Sequence, residues 1–261
     1  MPKRHISQIS GGDLPQEIVI FENKDKKFHE SWSPNRSLAN FPHPYRVLLV
    51  GPPNVGKSNL IKNLILHAKP PFEQAFLLYP GGKGKSEGEI KHKTDEYNDV
   101  EGIQGLDSIP PPEFFLKAGD KKSKKTLVIL DDMDLKGISK EEKTYLDRLF
   151  GTVSTHRNVS IFCTAQDWFS IPPIIRRMSN VWIIWKHKDT ASMEMISRKT
   201  GENLEELFRT VAPGQYDSIT IDGTARTPAP LRLNLFSKVY ATKKQPKNQR
   251  SVSQNVIFAS S

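Results

Sequence analysis

Eight residues constrain this chain more than any other stretch: Gly51-Pro52-Pro53-Asn54-Val55-Gly56-Lys57-Ser58. They fit the pattern G-x-x-x-x-G-K-[ST], and their flanks supply the context that pattern needs. Before them runs Tyr45-Arg46-Val47-Leu48-Leu49-Val50, a short apolar stretch that reads as a buried strand. After them, apolar residues at 60, 61, 64 and 65 follow a helical spacing. In a strand, glycine-bearing loop and helix, backbone N–H groups converge on phosphate oxygens, and the helix N-terminus adds its partial positive charge. The expected phosphate cradle is Gly51, Pro52, Pro53, Asn54, Val55, Gly56, Lys57, Ser58 and Asn59. Lys57 would reach the β- and γ-phosphates, and the Ser58 hydroxyl would ligate magnesium.

A second signal lies downstream. Thr126-Leu127-Val128-Ile129-Leu130-Asp131-Asp132 has the form of a Walker-B strand, four apolar residues followed by two carboxylates. Open α/β folds bind ligands outside the C-terminal ends of their strands, where such a pair would stand. Asp131 there can hold magnesium, directly or through water, and Asp132 can orient and deprotonate the attacking water. The plainer alternative is a strand ending in an acidic turn, with one Asp capping a helix. The next apolar run, Val159-Ser160-Ile161-Phe162-Cys163-Thr164, ends in Ala165-Gln166-Asp167. An amide at that tip, beside Walker B, can sense the γ-phosphate or position water. Taken alone, Gln166 is also an ordinary loop residue.

The fold class these patterns predict is α/β, a P-loop NTPase with a mostly parallel central sheet flanked by helices. The 261 residues suffice for one such domain with appendages. We read residues 1–40 as an N-terminal arm, with Glu17-Ile18-Val19-Ile20-Phe21 as a candidate edge strand. Residues 41–237 form the domain, interrupted by an insertion at about 81–125 rich in Lys, Glu, Gly and Asp. Residues 238–261 read as a basic, disordered tail. Helices are expected from the Ser139 cap through Phe150, in a short piece opened by Pro172-Pro173, at about 190–199, and at 204–210 behind an Asn203 cap. Strands are expected at 75–79 and 180–185, with a hairpin or edge strands at 215–221 and 231–236.

Lys+Arg 38 against Asp+Glu 29 gives a net charge of +9, which suits DNA, RNA or a membrane face as partner. Much of the excess lies in the tail and the insertion, where lysine also serves solubility. The single cysteine, Cys163, excludes an intramolecular disulfide framework and a cysteine-rich zinc site, and fits a reducing compartment. No apolar run approaches the roughly 18 residues of a membrane span, so none is expected. No secretory signal is expected either, for want of an apolar h-region.

The P-loop, the Asp131-Asp132 strand end, His156-Arg157-Asn158-Val159-Ser160-Ile161 leading to Thr164-Ala165-Gln166, and the downstream Arg176-Arg177 form a combination. It resembles the genome-packaging ATPases of the FtsK–HerA superfamily, found in poxviruses, other large DNA viruses, virophages and related viruses with double jelly-roll capsids. The resemblance covers about residues 45–186. Of its motifs, the strand ending in Gln after an Arg-bearing turn is the more specific. It implies a RecA-like ASCE fold, ATP and Mg2+, and a homo-oligomeric ring, pentamer or hexamer. It also implies pumping of double-stranded DNA into a preformed capsid at a capsid or portal vertex, in the virion or at the virus assembly site in the host cytoplasm or nucleus. Cellular relatives usually carry Glu where this chain has Asp132. A ring motor also needs an arginine finger, for which Arg148, Arg157, Arg176 and Arg177 are candidates. Arg157 is favoured because it sits in the turn before the strand that ends at Gln166.

Other classes fit less well. Pro53-Asn54-Val55-Gly56-Lys57-Ser58 is also similar to the first loop of translation-factor-related GTPases. Their D-x-x-G appears as Asp134-Leu135-Lys136-Gly137, but past the strand end, and no N-K-x-D follows. A nucleotide or polynucleotide kinase would want an arginine-rich lid. A nucleic-acid-dependent ATPase or helicase outside packaging shares the same motifs. In a DNA-binding protein with a decayed site, Lys57, Ser58 and Asp131 would have no reason to be intact.

Overall fold

Among the described residues, the apolar runs at 46–50, 74–78, 126–130, 159–165 and 181–185 form strands, and the chain between them turns back so that these strands run parallel; the stretch expected as a strand over 231–236 is one only over 231–233. The computed structural model describes residues 41–69, 71–78, 97, 103–106, 108–115, 125–132, 135, 137–224, 227–240 and 257–259. In order these give β1 (Arg46–Val50), α1 (Lys57–Leu66), β2 (Gln74–Leu78), β3 (Ile103–Leu106), β4 (Thr126–Leu130), α2 (Lys140–Arg148) and β5 (Val159–Ala165). There follow α3 (Pro173–Met178), β6 (Val181–Trp185), α4 (Thr190–Thr200), α5 (Leu204–Thr210), β7 (Ser218–Asp222), β8 (Leu231–Leu233), β9 (Ser237–Tyr240) and β10 (Ile257–Ala259).

All ten strands join one sheet, in the order β10-β9-β8-β7-β6-β1-β5-β4-β2-β3. From β3 to β6 the neighbours are parallel; from β6 to β10 they are antiparallel. Every residue of β4 and β5 is buried, as strands covered on both faces require. One face carries Val47 and Leu49 of β1 and packs under Ile61, Leu64 and Ile65 of α1. The other carries Leu48 and Val50 and packs under α2 to α5 through residues such as Leu146, Ile175, Ile196 and Phe208. Among the described residues, the phosphate-loop helix is the one helix on its face of the sheet.

Local signals account for the helix starts. Ser139 caps α2 with a full capping box, its hydroxyl accepting from the Glu142 N–H while Glu142 reaches back to the Ser139 N–H. α2 then runs on through a π-helical turn, Leu149–Val153, and a last turn at Ser154–His156. The wider turn buries Leu149, Phe150 and Val153 together. Asn203 caps α5 by accepting from the Glu206 N–H.

Two features depart from the sequence reading. Within the stretch read as an insertion, β3 adds a parallel edge strand to β2, and Phe115 of a short 3-10 turn is buried against the core. The sheet also runs past the 237 boundary: β9 pairs with β8, and β10 pairs with β9. The N-terminal arm with its candidate strand, most of the 81–125 stretch and most of the tail lie outside the described residues.

The approach to β1 is tied to β5 by His43. Its Nε2–H donates to the Asn158 carbonyl at 3.0 Å, which leaves Nδ1 to accept from the Ser160 hydroxyl at 2.7 Å. The Ser160 oxygen in turn accepts the Tyr45 N–H. Burial, with Lys125 nearby, lowers the His43 pKa to about 4, against the opposing pull of the Asn158 bond and Glu73. A histidine held neutral in the fold and free to protonate when unfolded binds more protons in the unfolded state between pH 6.5 and 4. Stability is therefore expected to fall by about 2–3 kcal/mol as the pH drops through that window. Urea unfolding at pH 7.5 and 4.5 checks this, with His43→Gln expected to remove most of the difference.

Candidate nucleotide site

The loop after β1 has the conformation its glycines allow. Gly51 donates its N–H to the Ala165 carbonyl at 3.1 Å, which fixes the loop's start to the tip of β5. A Cβ at Gly51 would stand 2.9 Å from the Trp185 Cβ and 3.1 Å from Val55, so no larger residue fits. Asn54 and Gly56 both lie in the left-handed region, at φ 60° and 93°. Gly56 is the N-cap of α1 and brings no side-chain acceptor, and no acidic residue stands in the first turn. The first turn of α1 therefore has no side-chain cap and no carboxylate of its own, the condition under which a helix N-terminus can hold an anion. Lys57 is buried, its Nζ donating to the carbonyls of Gly51 at 2.8 Å and Pro52 at 2.9 Å. Ser58, half-buried, follows in the same turn.

Asp131 and Asp132 stand at the tip of β4, one strand beyond β5. Asp131 is 1% exposed, and its N–H donates to the Leu78 carbonyl. Thr164 of β5 ties the two carboxylate residues together, a role visible only once β4 and β5 are in register. Its hydroxyl donates to Asp131 Oδ1 at 2.9 Å, with Asp132 Oδ1 farther away at 3.3 Å. Its oxygen accepts the Asp132 N–H at 2.7 Å. Asp132 takes a left-handed conformation, φ 49°, which turns its half-exposed carboxylate outward from the buried strand. Gln166, exposed at the tip of β5, brings its Nε2 to 3.4 Å from Asp132 Oδ2. The amide and the second carboxylate therefore meet at the strand tips. Asp167, the next residue, caps the Trp168–Ser170 turn by accepting from the Ser170 N–H.

The hydroxyl of Ser58 and the buried carboxylate of Asp131 are both hard oxygen donors. Magnesium favours such donors and takes few of them from the protein. His187, just past β6, was not singled out in the sequence. Burial, with Lys57 nearby, lowers its pKa against the opposing pull of the Val50 carbonyl, Asp167 and Asp189. The only sequence signal was its place at the end of a buried strand.

The four arginines separate. Arg157 is exposed just before β5, at the edge of the sheet opposite Gln166, about 20 Å away along the strand. Arg177 is also exposed. Arg148 pairs with Glu113, and the Arg176 guanidinium lies 5.6 Å from the Trp168 ring centroid.

The sequence matches no protein-family model and no curated protein. Among solved structures, the chain is similar to B204, the DNA-packaging ATPase from Sulfolobus turreted icosahedral virus. Identity is 15% over 73% of this chain and 97% of that one, with a TM-score of 0.49. It is also similar to the genome-packaging NTPase B204 from Sulfolobus turreted icosahedral virus 2, solved with ATP-gammaS. Identity there is 17% over 73% and 96% of the two chains, with a TM-score of 0.47. EssC (ATPases 2 and 3) from Geobacillus thermodenitrificans is similar at 14% identity, over 69% of this chain and 38% of that one, with a TM-score of 0.41.

Proposed function

We propose that the chain hydrolyses ATP with magnesium and uses the energy to move double-stranded DNA into a viral capsid. The observation that carries this reading is a convergence at one sheet edge. The phosphate loop lies at the end of β1, with Gln166 and the Thr164-linked Asp131 and Asp132 on the next two strands. In the reaction, the α1 N–H groups and Lys57 hold the phosphates. Ser58 and Asp131 would hold the magnesium, which would supply positive charge to offset that of the phosphates. Asp132 takes the proton of the attacking water, and Gln166 orients that water or reports the γ-phosphate through its contact with Asp132.

Translocation and packaging rest on the sequence resemblance over residues 45–186 and on the basic balance of the chain, +9. They carry with them a ring of copies of this chain and an arginine supplied between neighbours. The place of action is then a capsid or portal vertex, in the virion or at the assembly site in the host cell.

The test is ATP and GTP turnover with and without duplex DNA, beside the mass of the nucleotide-bound oligomer. The expected result is preference for ATP, stimulation by duplex of any sequence that fades steeply with salt, and a ring. Preference for GTP with indifference to DNA would replace the motor with a GTPase. Stimulation by single strands alone would replace packaging with a helicase-like activity.

A further inference from the structure

We propose that Tyr216 is the platform on which the base of the bound nucleotide stacks. This rests on reading the loop after β1 as a nucleotide site, and it names the part of the ligand that the phosphate-directed groups of that loop do not touch.

The strand order gives the site a direction. On one side of β1 stand β5 and β4, whose tips carry Gln166, Asp131 and Asp132, the groups suited to the terminal phosphate. On the other side stand β6 and β7. A nucleoside triphosphate laid along this edge with its γ-phosphate toward β4 carries its ribose and base toward β6 and β7. Neighbouring strands lie about 4.8 Å apart, so the start of β7 is about 10 Å from the tip of β1. β7 is antiparallel to β6, with Ser218 across from Trp185, so the loop leading into β7 arrives at this same edge.

Tyr216 is in that loop. At 67% exposed it is the most exposed large apolar side chain among the described residues. Single exposed aromatics are ordinary on protein surfaces. What distinguishes this one is its fixed connection to the phosphate loop. Trp185 packs its Cβ where a Gly51 side chain would be, and its Nε1–H donates to the Tyr216 carbonyl at 3.1 Å. Asp217 braces the same loop from its other end. One carboxylate oxygen accepts the Gly214 N–H at 2.8 Å, and the other accepts from Asn234 Nδ2 at 2.9 Å. The backbone that carries the ring is thus tied to the sheet on both sides, while the ring itself is left in water. A ring presented on a rigid backbone loses little freedom when a flat ligand covers it.

Stacking reads the face of a base and not its hydrogen-bonding edge. Such a platform separates nucleotides from bare phosphate chains without separating adenine from guanine.

The experiment measures the affinities of ATP, GTP and inorganic tripolyphosphate, all with magnesium, for the full chain and for Tyr216→Ala and Tyr216→Phe. Tyr216→Ala is expected to weaken ATP and GTP alike by about tenfold, toward the low end of aromatic–base stacking. It should leave tripolyphosphate within about twofold, and Tyr216→Phe should bind ATP almost as the parent does. Unchanged ATP affinity in Tyr216→Ala overturns the proposal. So does an equal loss for tripolyphosphate, which makes Tyr216 a support of the loop, or a Phe variant that behaves like Ala. A parent protein that binds tripolyphosphate as tightly as ATP keeps its phosphate site and loses the platform. One that binds neither overturns the nucleotide site and the platform together.

Discussion

Lys57→Ala is expected to lower ATP turnover by about 10²–10³-fold or more, the cost of removing one preorganised donor to a transferring phosphoryl group. The lysine is held inside its own loop by the Gly51 and Pro52 carbonyls, so its ammonium stands ready where the phosphates would lie. The carboxylates should fail in different ways. Asp131→Ala is expected to make nucleotide affinity indifferent to magnesium. Asp132→Asn should bind ATP with magnesium normally yet hydrolyse it about 10²–10⁴-fold more slowly, since only the proton transfer to the side chain is lost. The geometry around residue 132 survives that change: its N–H still reaches Thr164, and an amide oxygen can still accept from Gln166. Equilibrium binding and single-turnover hydrolysis, run side by side, separate the two steps. Near-normal turnover in Lys57→Ala would sink the phosphate-loop assignment, and identical defects in the two aspartate variants would show that the roles are split wrongly.

The parts of this site that a sequence can show are those whose chemistry is local. The loop from Gly51 to Ser58 is legible because its turn, its helix start and the bonds from Lys57 back to its carbonyls all come from consecutive residues. β4 and β5 are legible because strands buried on both faces read as unbroken apolar runs, and α2 and α5 because their caps lie three residues from their partners. The rest depends on register. Thr164 is one polar residue at a strand end until β5 pairs with β4, and only then does its hydroxyl fall between Asp131 and Asp132. Trp185 reads as core until β6 pairs with β1 and its Cβ closes the space beside Gly51. β3 escaped because Ile103-Gln104-Gly105-Leu106 is short, holds a glycine and lies at an edge, so neither continuous burial nor clean alternation marks it.

Mixing Arg157→Ala with Lys57→Ala is expected to restore ATPase activity that neither protein has alone. An arginine finger supplied by a neighbour is worth about 10³–10⁵ in turnover, so each variant should be close to inactive by itself. The fold separates the candidates. Arg148 already pairs with Glu113, and Arg176 lies over the Trp168 ring. Arg157 is exposed at the end of β5 farthest from Gln166, so it cannot serve its own phosphate loop without crossing the length of the strand. A head-to-tail ring brings the opposite edge of one subunit toward the site of the next. If equal amounts of the two variants assemble at random, about a quarter of the interfaces pair an intact Lys57 with an intact Arg157. Recovery should approach that share if sites fire independently, and fall below it if hydrolysis must pass around the ring in turn. Recovery should also vanish when Arg157→Ala is mixed with a protein carrying both changes, since no intact finger is then present. Absence of recovery in rings shown by mass to contain both variants would move the finger to Arg177 or Arg176, or into the subunit's own site.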